Sequence, residues 1–84
     1  MTRRPGFIGN ARYTFDGRVI DLGRRIRLYR RLWNDMTQSE LAEKAKLSVG
    51  YISSIELNRT NPSDKALAKI AGVFGVTVDE LIGK

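Results

Sequence analysis

The chain has 84 residues with no cysteine and no histidine, which removes disulfides, thiol nucleophiles, imidazole proton transfer and ordinary zinc sites together. A total of 15 Lys and Arg against 9 Asp and Glu leaves a formal charge of +6, which favours a polyanionic partner. Nucleic acid is preferred over a membrane: no strongly apolar amphipathic anchor accompanies the charge, and the longest apolar run, Ile70 to Val76, falls far short of the roughly 20 residues a spanning helix needs.

The positive charge is concentrated in the N-terminal third, where Arg3, Arg4, Arg12, Arg18, Arg24, Arg25, Arg27, Arg30 and Arg31 meet only Asp16 and Asp21. Arg3 and Arg4 imitate the start of a signal peptide, but Pro5, Gly6, Asn10 and Arg12 leave no apolar stretch behind them. A soluble, cytoplasmic chain is expected. Residues 12–21 read as a β-hairpin, because Asp16-Gly17 favours the positive backbone angles of a two-residue turn. An isolated hairpin is marginal in water, and Leu28 and Leu32 are its expected support. The alternative for residues 1–20 is a disordered basic arm, with Leu28 and Leu32 simply exposed.

A first helix is expected from about Asp21 to Leu32, with a core stripe of Leu22, Ile26, Tyr29 and Trp33 at steps of four, three and four. Asn34-Asp35 ends it. Thr37 with Glu40 three residues later is a capping box that starts a second helix, whose apolar face is Leu41, Ala42 and Ala45. Ser48 offers another N-cap only three residues after that pattern ends, so a third helix follows a sharp turn. Ile52 and Ile55 turn inward with Glu56 beside them, which leaves Val49, Gly50, Ser53, Ser54 and Leu57 facing out. Small uncharged residues suit a helix that lies close against another surface. Asn58 tolerates the left-handed backbone that closes a helix, and Arg59, Thr60, Asn61 and Pro62 form the next loop. Ser63 caps a fourth helix with Leu67, Ile70, Ala71 and Phe74 inside and Gly75 as its stop; Thr77 with Glu80 opens a short fifth helix carrying Leu81 and Ile82. Residues 21–84 are thus expected as one all-α, five-helix domain.

From Leu22 to Ile82 the pattern resembles the helix-turn-helix family of phage repressors and Cro proteins, also called XRE-type regulators. The marks are Leu-Gly-Arg-Arg-Ile-Arg in the first helix, Thr-Gln-Ser-Glu-Leu-Ala in the second and Leu-Ser-Val-Gly-Tyr-Ile-Ser-Ser-Ile-Glu across the turn and the third. Asn-Pro-Ser and Phe-Gly-Val-Thr-Val-Asp-Glu-Leu-Ile complete the series. The resemblance implies sequence-selective binding of duplex DNA as a homodimer on a palindromic operator, to repress or sometimes activate transcription, with the third helix in the major groove. It places Val49, Gly50, Ser53 and Ser54 toward the bases, and Gln38, Ser48, Tyr51, Arg59, Thr60 and Asn61 along the backbone, with Arg3 and Arg4 available for a minor groove. The alternatives are that Gln38 merely fills the capping turn and that the loop after the third helix is simply solvated. The family also pairs a first-helix arginine with the glutamate closing the third helix, here Arg30 with Glu56.

Two departures stand out. Lys46 occupies the turn position where the family usually has glycine, so either a lysine is held left-handed or the turn is altered; one extra residue also joins the first two helices. The base-facing positions hold no Arg, Asn, Gln or Lys, so bidentate reading of guanine or adenine is absent and modest readout, supplemented by DNA shape, is expected. The expected dimer contact is the C-terminal segment around Val76, Val78, Leu81 and Ile82, with the hairpin as second choice. No cofactor, metal or enzymatic activity is expected, since the acidic residues sit in caps and turns without a nucleophile beside them. The rival reading is a protein-interaction module, engaging a toxin or an antirepressor, with DNA binding secondary.

Overall fold

The computed structural model describes residues 13–15 and 18–83. Strands β1 (Tyr13–Phe15) and β2 (Arg18–Ile20) pair antiparallel, Tyr13 opposite Ile20 and Phe15 opposite Arg18. The Asp16-Gly17 turn and the Arg3 and Arg4 arm expected from the sequence lie outside the described residues. Five helices follow: α1 (Leu22–Leu32), α2 (Gln38–Ala45), α3 (Val49–Glu56), α4 (Asp64–Phe74) and α5 (Val78–Ile82).

Each helix starts at a side chain that accepts a backbone N–H from its first turn. Asp21, Thr37, Ser48, Ser63 and Thr77 do so for the amides of Arg24, Glu40, Tyr51, Ala66 and Glu80, and Thr37 and Thr77 complete reciprocal capping boxes. The stops are equally local. Asn34 and Asp35 take φ of 59° and 52°, Asn58 57° and Gly75 70°. Lys46 is left-handed at φ 58° and ψ 45°, so the sharp turn keeps its shape without glycine and the lysine bears the strain.

All five helices feed one core, whose most enclosed side chains include Leu22, Ile26, Leu41, Ile52, Ile55, Leu67, Ile70 and Leu81. Tyr29 stacks on Phe74 with ring centroids 5.3 Å apart. Three expectations about this core are corrected. Trp33 does not continue the α1 stripe: it is the C-cap at φ −99°, ψ 61°, so its side chain leaves the helical track and stays half-exposed, while Met36 is buried. Leu81 and Ile82 are enclosed by their own domain, so they offer little surface to a second copy. Leu28 and Leu32 are exposed rather than covered by the hairpin.

Arginines on α1 bind the helix against the carbonyl ends of its neighbours. Arg25 donates from Nε to Leu81 O at 2.7 Å and from Nη2 to Glu80 O at 3.2 Å, and Arg27 Nη1 donates to Glu56 O at 2.6 Å. These carbonyls lie in the last turns of α5 and α3, where Glu80 O also accepts from Gly83 N, and the cations meet the negative ends of both helices. Gly23 permits the tightest approach, since a Cβ there would collide with the Glu56 carbonyl.

Candidate nucleic-acid interface

α2 and α3 are joined only by Lys46, Leu47 and the cap residue Ser48, which brings the N-terminus of α3 beside that of α2. Val49 borders a shallow groove that also takes in Arg31, Thr37, Gln38 and Ser39. Along α3, Val49, Gly50 and Leu57 are exposed and Ser53 and Ser54 half-buried, while Ile52, Ile55 and Glu56 are enclosed. The third helix therefore presents the outward face read from its sequence. At Gly50 an added Cβ would meet nothing within 4 Å, and its backbone is helical, so internal packing does not require glycine there.

Glu56 closes α3 and is only 2% exposed. Its carboxylate accepts from Arg30 Nε at 2.7 Å, from Arg30 Nη2 at 2.8 Å and from Gln38 Nε2 at 3.0 Å, and Arg30 Nη1 donates to Met36 O at 2.7 Å. The fork of the guanidinium matches the two carboxylate oxygens, which secures α1 to the end of α3. Hydrogen bonding to Glu56 raises the Arg30 pKa above its ordinary value, against the lowering effect of burial and with the added attraction of the carboxylate. The Gln38 side chain, expected at a phosphate, thus commits its amide nitrogen to this network. Its backbone still forms the first turn of α2.

Tyr51 is half-buried and its hydroxyl accepts from Ser63 N at 3.2 Å, so it also fastens α3 to the start of α4. Ser48 is exposed and engaged as the α3 cap. In the loop after α3, Arg59 and Asn61 are exposed and Thr60 half-buried. Three residues were missed. Arg31 and Ser39 flank Gln38 and Val49 in the groove. Asn58, read only as a helix stop, accepts from Gly23 N at 3.1 Å and donates to Asp21 Oδ1 at 2.8 Å. The helical period placed Arg31 on the helix without showing what it would face, and a contact spanning 35 residues leaves no local signal for Asn58. Among the described residues no group of His, Cys, Asp and Glu is placed to hold a metal, and no helix is long and apolar enough to cross a membrane.

Residues 26–81 match the model of the family described as helix-turn-helix. The chain belongs to this helix-turn-helix family. It is 41% identical over 65 residues to the immunity repressor protein of Bacillus phage phi105, covering 77% of this chain and 44% of that protein. Identity to the HTH-type transcriptional regulator SinR of Bacillus subtilis is 45% over 62 residues, 73% of this chain and 55% of that one. A crystal structure of SinR, the master regulator for biofilm formation, in complex with DNA superposes with a TM-score of 0.65 at 46% identity, covering 71% of this chain and 95% of that one. The chain spans about half the length of these curated relatives. Helix-turn-helix membership agrees with the α2–α3 unit and with the five-helix architecture around it.

Proposed function

We propose that the protein is a cytoplasmic, sequence-specific duplex DNA-binding transcriptional regulator, a repressor, that places α3 in the major groove and acts as a homodimer on a palindromic operator. The observation that carries the reading is the outward face of α3: Val49, Gly50, Ser53, Ser54 and Leu57 stand clear of the core in a helix-turn-helix unit whose inner face is locked by Ile52, Ile55 and Glu56. Val49 and Leu57 offer methyl groups to thymine, the two serines offer single hydrogen bonds, and Gly50 lets the backbone approach the base edges.

Backbone contacts position this helix. The first turn of α2 aims its N–H groups and the positive end of the helix at a phosphate, with Gln38 held in place by Glu56. Ser48, Tyr51, Arg59, Thr60 and Asn61 supply further contacts on the other side of α3, and Arg3 and Arg4 of the arm enter a minor groove. In this reading residues 1–20 are the arm and hairpin and residues 21–84 the DNA-binding domain, with no catalytic centre. A single unit this small grips few phosphates, so pairing across a twofold axis doubles the contacts and sets the half-site spacing. Val76 and Val78, half-buried at the start of α5, remain the C-terminal residues able to join such a contact.

Selection of bound duplexes from a random DNA library at near-physiological salt tests the reading. An enriched inverted repeat is the expected result. Binding without any enriched motif refutes sequence-specific regulation, because nonspecific attraction to phosphate is common to any basic protein.

A further inference from the structure

The five arginines of α1 fall into two groups. Arg25, Arg27 and Arg30 end on the α5 carbonyls, the Glu56 carbonyl and the Glu56 carboxylate. Among the described residues, no side-chain hydrogen bond or ion pair engages the guanidinium groups of Arg24 and Arg31. These two share one helical face with Leu28 and Leu32, because Leu28 lies four residues from both Arg24 and Leu32 and three from Arg31. Leu28 is 44% and Leu32 79% exposed, and Trp33, next along the chain, is 48% exposed. Among the described residues, three of the five large exposed hydrophobics thus gather in the C-terminal half of α1 and at its cap. Beside Leu28 a groove runs between α1, β2 and the end of α5, with Ile20 and Ile82 in its lining and Arg24 at its edge.

We propose that the face of α1 formed by Arg24, Leu28, Arg31 and Leu32 is a docking surface for an acidic amphipathic helix of a partner protein. Leucines one turn apart form a ridge that interleaves with the apolar stripe of a second helix, and carboxylates along the edges of that helix meet the two unengaged guanidinium groups. Charge decides against a second copy, and the apolar area against DNA. A second copy packed antiparallel on α1 sets arginines against arginines, and the one carboxylate lining this groove, Asp21, is already bonded to Arg24 N and Asn58. A DNA backbone suits the arginines but leaves both leucines facing phosphate, where their burial gains nothing. Arg31 stands where this face meets the groove of Gln38 and Val49, so a partner seated here abuts the surface assigned to DNA. The docking surface does not depend on that assignment.

The probe is a synthetic helical peptide with leucines at i, i+4 and i+7 on one face and glutamates along both edges. It is compared with its Glu→Lys and Leu→Ser counterparts by fluorescence anisotropy against the full chain. Binding of the acidic leucine peptide alone is expected, with amide NMR shifts concentrated in residues 24–33. Leu28→Ser with Leu32→Ser, and separately Arg24→Ala, each weaken it by about tenfold or more. Both substitutions fall on exposed positions, and an unchanged circular dichroism spectrum confirms the fold of each variant. Absence of binding, equal binding of the counterpart peptides, or binding insensitive to these variants overturns the proposal. Self-association abolished by Leu32→Ser assigns the face to a second copy instead. Arg24→Ala weakening duplex DNA as much as the peptide assigns it to DNA, and either result also overturns the proposal.

Discussion

Replacing Glu56 with leucine leaves the Arg30 guanidinium inside the domain with one acceptor, Met36 O, in place of three. Gln38 loses its acceptor as well. Removing one partner of a buried ion pair costs about 3–5 kcal/mol, most of it the desolvation of the charge left behind. Arg30 keeps 18% exposure and can recover some hydration, which places Glu56→Leu near the lower end, about 3 kcal/mol. Arg30→Met strands the charge at Glu56, which is only 2% exposed, and belongs near the upper end, about 5 kcal/mol. Domains of this kind have a total stability of about 5–15 kcal/mol, so either change consumes a large part of it. Urea unfolding followed by circular dichroism reads the loss as a lower midpoint at constant slope. The double variant Arg30→Met with Glu56→Leu buries no charge, leaving only the Gln38 amide and the Met36 carbonyl short of partners. Its loss is therefore expected to be smaller than that of either single change. Losses below about 1 kcal/mol for the single variants, or a double-variant loss equal to their sum, refute a coupled pair.

Gly23→Ala sets a methyl group against the Glu56 carbonyl, and because both elements are backbone the strain cannot be relieved by rotating a side chain; a destabilisation of about 1–3 kcal/mol in thermal unfolding is expected, and an unchanged midpoint contradicts the close approach. Lys46→Gly releases a left-handed conformation costing about 1–2 kcal/mol but loosens the unfolded chain by about 0.4–1 kcal/mol, so a net gain of several tenths of a kcal/mol is expected in urea unfolding. Asn58→Gly keeps the positive φ yet removes the bonds to Gly23 and Asp21; a loss of about 1–2 kcal/mol tests whether that side chain joins α1 to the end of α3. For DNA binding, Arg59→Ala lowers affinity for all duplexes alike and reduces the salt slope by about 0.9, whereas Val49→Ala changes the preferred base with the slope intact. An unchanged slope removes Arg59 from the phosphate contacts, and uniform weakening by Val49→Ala removes that residue from the reading face.

The helices, their order and most of their ends were legible in the residues because capping is local. Thr37, Ser48, Ser63 and Thr77 accept from amides three residues away, and Asn58 and Gly75 take positive φ because their own chemistry tolerates it. The outward face of α3 followed from helical period alone. The Arg30–Glu56 pair was anticipated through family resemblance, and not from spacing. Tertiary structure alone decided which distant groups meet. It joined Asn58 to Gly23 and Asp21, gave Gln38 to Glu56, and divided the α1 arginines between internal carbonyls and an open face. It enclosed Leu81 and Ile82, which sequence had offered to a second copy, and turned Trp33 out of the core at the end of α1. Amphipathic period says that a face is buried, but the angle and distance at which helices pack determine what buries it.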